Sequence, residues 1–148
     1  MKLNIETLKD IQIDTNPVAK AVKQHFASTR QTGRQDLEID VHFPDQTQMI
    51  ELNKTYRDKD YLTDVLSFSY MDNLLEHENL AGEIFISLQK AEQQAEQKGN
   101  DLGAEIYYLI AHGYLHITGY LHDTDQQEKT MNAQEDAILK MCNTIINR

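Results

Sequence analysis

From Asn100 to Gly119 the chain carries a helical pattern that is mostly apolar, with Leu102, Ile106, Leu109, Ile110 and Ile117 in it. A surface helix keeps one polar face, so a segment this apolar must be covered on several sides. It is therefore expected to be the central, buried helix, and Gly119 stands where a glycine can end it. What surrounds it must supply apolar faces. LEIDVHF, residues 37–43, is the clearest strand, with Leu37, Ile39, Val41 and Phe43 on one side and a polar or wet face on the other. Leu3 and Ile5 alternate with polar neighbours, and VLSFSY and EIFIS are short β-branched and aromatic runs, which predicts three more strands.

The remaining helices announce themselves by their ends. Asn16 before Pro17 reads as an N-cap with proline in the first turn, opening a helix to about Thr29. Asp45 with Gln48 resembles a capping box, opening a helix through Tyr56 with Met49, Leu52 and Tyr56 on its apolar face. Ser87 is placed to cap a helix that Gly99 ends, and Asp125 with Glu128 suggests another box before a helix running close to Arg148. A polar loop, roughly 71–81, separates VLSFSY from EIFIS. The fold class expected is α+β, one domain over residues 1–148, with roughly four strands in a mixed sheet and about five helices.

Composition excludes some functions. With 40% hydrophobic and 26% charged residues the chain is that of a globular protein rather than a disordered one. No apolar run suits a membrane span, and MKLNIETLKDIQIDT lacks the apolar block of a signal peptide, so a cytoplasmic protein is expected. The single cysteine, Cys142, cannot form an internal disulfide and is given no chemistry. A net charge of −10 argues against nucleic acid as a partner, although a cation and a few local Lys or Arg residues can make one cleft attractive to phosphate.

The chemistry lies at the end of the apolar helix, in HGYLHITGYLHD. Residues four apart project from one helix face, so His112 and His116 form a ready pair. A third ligand needs the chain to turn back, which Gly119 permits through positive φ, and His122 then completes the set. Three neutral imidazoles suit one zinc-like ion and leave a fourth position open, the pattern of a catalytic site. Six histidines scattered over 148 residues would give this spacing on the order of one time in a hundred. His25, His42 and His77 carry no such pattern and are read as core or surface residues.

HGYLHITGYLH resembles the H-G-x-L-H-x-x-G-x-x-H signature of the bacterial YbeY family of zinc-dependent, single-strand-specific endoribonucleases in rRNA maturation. LNKTYRDKDYLTDVLSF is similar to that family's L-N-x-x-Y-R-x-x-x-x-x-T-D-V-L-S-F segment, and GEIFIS to its G-[DE]-I-x-I-S strand. Leu121 stands where the family commonly has Asp, and Ser69 where it commonly has Pro. With that acidic neighbour missing, Asp123 or Asp125 is the substitute expected to support the histidines. The resemblance implies one zinc per chain and single-stranded rRNA as substrate, with processing of the 16S rRNA 3′ end and ribosome quality control as the context. It also implies the small ribosomal subunit as partner, with no DNA and no membrane. It further places Arg57 in the active-site cleft, where a guanidinium suits phosphate, with Lys59 as a less specific charge. The catalytic set implied is thus Arg57, His112, His116 and His122.

Two other readings stay open: a metallohydrolase of peptides or small esters, and a non-enzymatic assembly factor with a structural zinc. Zinc peptidases place a glutamate base directly after the first histidine; here that residue is Gly113, whose smallness suggests close backbone packing instead. Ser67 lacks an adjacent base and is assigned to packing rather than nucleophilic attack, Thr63 and Asp64 to ordering a turn, and Phe68 and Tyr70 to the core. Whether water or the substrate's own 2′-OH attacks is not readable from these residues.

Overall fold

The computed structural model describes residues 1–8, 10–29, 34 and 36–148. Strands β1 (Lys2–Ile5), β2 (Glu38–His42), β3 (Val65–Ser69) and β4 (Leu80–Ile86) form one sheet in the order β1-β2-β4-β3. Neighbours β1 and β2 run parallel, as do β2 and β4, and β3 returns antiparallel to β4. Parallel neighbours need crossovers, and helix α1 (Asn16–Thr29) supplies the first while α2 (Gln46–Arg57) and β3 lie within the second. Helices α3 (Leu88–Lys98), α4 (Leu102–Ile117) and α5 (Asp125–Met141) follow. Among the described residues the α+β class, the four strands in a mixed sheet and the five helices agree with the sequence reading.

Alternation sorts the sheet into two faces. Ile39 and Val41 of β2 are fully buried and sit in register with Gly82 and Ile84 of β4, which in turn pair with Ser69 and Ser67 of β3. Against this face lies α4, with Ile106, Ile110 and Leu115 wholly covered, as a helix apolar on nearly all sides requires. Two glycines let helix and sheet approach. A Cβ on Gly113 would meet Ile84 at 3.0 Å, and one on Gly82 would stand 2.5 Å from the Phe68 carbonyl oxygen and 2.7 Å from Ile117. The close packing expected of Gly113 is therefore present, and Gly82 contributes to it from the strand side.

The opposite face is polar along β1 and β2, as the alternation of β2 implied, while Leu66, Phe68 and Phe85 make its β3–β4 side apolar. Asn4 donates to Glu38 and Asp40, and Tyr70 donates to Glu83 at 2.9 Å while stacking on His77. His42 lies between two carboxylates, 2.6 Å from Glu6 and 2.7 Å from Glu83. Burial would lower the pKa of His42, but the hydrogen bonds to Glu6 and Glu83 outweigh it and raise the value above the ordinary 6.5. A raised folded-state pKa stabilises fully below the unfolded value and is lost as pH rises through the folded one. Denaturant titrations of the protein and of His42→Gln are expected to differ most below pH 6.5 and to converge only as pH rises through the raised folded-state value. A gap that widens with pH would contradict the assignment.

Local capping explains most helix ends. The Asp45–Gln48 box is present, Ser87 caps α3 through the Lys90 N–H, and Gly99 ends α3 at φ +71°. Three boundaries differ from the sequence reading. The N-cap of α4 is Asp101 rather than Asn100, whose side chain instead binds Glu105 and Asn147. The last capping box is Thr124–Gln127, one residue before Asp125–Glu128, and Gln127 also accepts the Asp123 N–H. This leaves Asp125 and Glu128 in the first turn, where their charge suits the helix dipole. Helix α5 stops at Met141, not near Arg148, because Asn143 takes φ +53°. The N–H groups of Asn143 and Thr144 then bind the Lys140 and Leu139 carbonyls, closing the helix in a Schellman turn. Cys142 is half-buried, its thiol pushed up to about 11 by burial, which suits an unreactive role.

Candidate metal centre

His112 and His116 occupy the last turns of α4, and their Nε2 atoms are 3.1 Å apart. The chain then reverses in a Schellman turn: Tyr120 N–H reaches the Leu115 carbonyl, Gly119 N–H reaches that of His116, and Gly119 takes φ +104°. This brings His122 back with its ring centroid 4.8 Å from that of His116 and 5.5 Å from that of His112. One nitrogen from each of the three rings lies within 4.8 Å of the others. Two ligands on a tetrahedral zinc with ~2.05 Å bonds stand roughly 3.3 Å apart, so the helical pair already has the needed spacing. The third ring is exposed and lies on the segment just after the turn.

Partners behind the rings fix which nitrogen faces the cleft. The Nδ1–H of His116 donates to the Tyr120 carbonyl at 3.0 Å, and the Nδ1–H of His112 donates to Glu135 Oε2 at 2.7 Å. A carbonyl and a carboxylate only accept, so the proton sits on Nδ1 and each Nε2 presents a lone pair. Burial, reinforced by His112 and His122, pushes His116 down to about 4, so its imidazole is neutral at neutral pH. Bare nitrogens 3.1 Å apart repel unless a proton or cation lies between them, and this donor set fits a zinc-like ion.

The rings open on a cleft of 480 Å³ whose far wall is β3. Arg57, the last residue of α2, reaches the same cleft, donates through Nη2 to the Ser67 carbonyl at 3.0 Å and lies 5.3 Å over the Phe68 ring. The structure thus brings Arg57, His112, His116 and His122 to one cleft, while Lys59 does not line it. Asp64 lines it too, but Oδ1 accepts the Val65 N–H at 2.7 Å, ordering the entry to β3 rather than bonding a histidine. His25 is buried elsewhere between Tyr114 and Gln134, and neither it, His42 nor His77 lines this cleft.

The sequence model of one family, described as endoribonuclease YbeY, matches residues 4–143. The chain belongs to the YbeY family. Endoribonuclease YbeY of Alkaliphilus oremlandii is 38% identical over 113 residues, covering 74% of this chain and 75% of its own. That of Staphylococcus saprophyticus is 36% identical over 119 residues, 77% and 78% of the two chains. That of Malacoplasma penetrans is 37% identical over 104 residues, 70% and 69% of the two. The solution structure of TM1509 from Thermotoga maritima shares the fold, with a TM-score of 0.58 at 21% identity over 93% of this chain and 89% of that one.

Of the two departures from the YbeY pattern, Ser69 has a local role and nothing in the structure explains Leu121. The Ser69 hydroxyl donates to the Ile117 carbonyl at 2.9 Å, tying β3 to the last turn of α4 where a proline would have no such donor. Leu121 is half-exposed, and among the described residues the support expected from Asp123 or Asp125 comes from neither: the carboxylate bonded to a cleft histidine is Glu135 of α5. Glu135 was not singled out from the sequence. The readable signal was its place in the stripe Met131, Glu135, Ile138, Leu139, where a charge among core positions demands a partner.

Proposed function

We propose that residues 1–148 act as one metal-dependent hydrolase domain that cuts single-stranded RNA internally, with rRNA of the small ribosomal subunit as substrate, in the cytoplasm. The observation that carries this reading is the meeting of three convergent imidazoles and one guanidinium across a single cleft. In it His112, His116 and His122 hold one zinc, and Arg57 binds the scissile phosphate, where its charge offsets the extra negative charge of the transition state. A zinc-like ion, when bound, supplies Lewis acidity toward phosphoryl oxygen and lowers the pKa of a coordinated water. Arg57 also answers the net charge of −10, since it puts the opposite sign where the substrate's charge must sit.

The peptidase alternative loses support from Gly113, which packs against Ile84 and provides no base beside the first histidine. The non-enzymatic alternative is not favoured by the endoribonuclease description of the family. No helix among the described residues is long and apolar enough to cross a membrane.

The test is metal analysis of the purified protein with cleavage of a single-stranded RNA before chelation, after it, and after zinc is restored. About one ion per chain and a cycle of activity lost and regained are expected. Undiminished cutting by fully stripped protein would sink the reading. A substrate with a 2′-deoxy at the scissile nucleotide then separates the nucleophiles, because its cleavage excludes obligatory attack by the 2′-OH.

A further inference from the structure

Glu135 is a carboxylate in the core, 1% exposed. Among the described residues it has two hydrogen-bond partners, one for each oxygen. Oε2 accepts the His112 Nδ1–H at 2.7 Å, and Oε1 accepts from Arg148 Nη2 at 3.1 Å. A buried carboxylate without such partners would be strongly unfavourable, so the pairing is a condition of its burial.

Arg148 comes from the segment after α5, and that segment is fastened. Asn147 and Asn100 exchange reciprocal hydrogen bonds, each 2.8 Å, between the side chain of Asn100 and the backbone of Asn147. The Asn147 amide also donates to the Lys98 carbonyl at 3.1 Å. The Arg148 guanidinium is then held by the Asn132 carbonyl at 3.1 Å and Asp136 at 3.0 Å as well as by Glu135. A continuous line of contacts runs from residues 142–148 through Arg148 and Glu135 to His112.

We infer that Glu135 is the positioning residue for His112 and that Arg148 holds it in place, so the 142–148 strap sets the affinity of the three-histidine site for its cation. This rests on the reading of the histidines as metal ligands. The physical reason is the tautomer. Glu135 can only accept, which keeps the His112 proton on Nδ1 and leaves Nε2 bare toward the cleft. Arg148 can only donate, so by holding one oxygen it fixes the orientation of the carboxylate and keeps the other oxygen on His112.

The pairing makes Glu135→Gln informative. Arg148 demands an acceptor, so the amide oxygen turns to it and the amide NH2 faces His112. That donor forces the imidazole proton onto Nε2, where it blocks coordination. Zinc affinity, measured by competition with a chromophoric chelator, is expected to fall roughly 10- to 100-fold in Glu135→Gln. Arg148→Ala alone should weaken binding in the same direction and by less. In the double variant the amide is free to flip and offer its oxygen to His112, so affinity should recover part of the way from the Glu135→Gln value. Long-range proton–nitrogen NMR of the imidazoles should show the His112 proton moving from Nδ1 to Nε2 in Glu135→Gln and returning in the double variant.

A purely structural carboxylate predicts the opposite, with losses that add in the double variant and an unmoved tautomer, and that result overturns the inference. Should Glu135→Gln not fold, an unchanged zinc affinity in Arg148→Ala overturns it as well. If the parent protein binds one ion lost in His116→Ala, yet Glu135→Gln binds it equally well, only the positioning role falls. If the parent protein binds none, the metal reading falls with it.

Discussion

His116→Ala is expected to fold, to purify without stoichiometric zinc, and to cut RNA at least ~10³-fold more slowly than the parent protein. Of the three rings, His116 is the one set 3.1 Å from a second ligand nitrogen and 4.8 Å, centroid to centroid, from the third ring. Its removal leaves His112 and His122 with ring centroids 5.5 Å apart, and two imidazoles do not make the three-ligand shell of a catalytic zinc site. The ring is only partly buried, so truncation leaves no large cavity in the core. Elemental analysis and single-turnover cleavage read the two effects separately, with circular dichroism as the folding control. Retention of full turnover would remove His116 from the reaction.

Arg57→Ala is expected to separate those readouts, keeping the ion while losing roughly 10²- to 10³-fold in kcat/KM. The side chain is exposed, and its interactions among the described residues are with the Ser67 carbonyl and the Phe68 ring. Stability should therefore change by only about 0.5 kcal/mol. Arg57→Lys should recover only part of the rate, because an ammonium is a point charge without the planar fork that matches two phosphate oxygens. Equal rates for Arg57 and Arg57→Ala proteins at full zinc occupancy would show that the guanidinium takes no part in the cleavage step.

Which features were legible in the sequence follows from how local their causes are. The alternation of Leu37, Ile39 and Val41 and the Asp45–Gln48 box act over a few residues, and both appear where the pattern put them. The meeting of His112, His116 and His122 was likewise readable, because helix spacing and one glycine turn bring them together. Arg57 was different: its place across the cleft depends on where α2 ends relative to β3, and only resemblance to a family suggested it. Glu135 was missed because its partner lies 23 residues away on another helix. The early stop of α5 had a local sign in Asn143, but the strap that follows depends on Asn100, 47 residues distant.

Gly82 and Gly113 bear on more than packing. One sits on the strand beside β3 and the other one residue after the first cleft histidine, and together they determine how near the histidine-bearing helix stands to the strand opposite. The gauge of the groove is thus set by two absent carbons behind its walls rather than by any side chain that lines it.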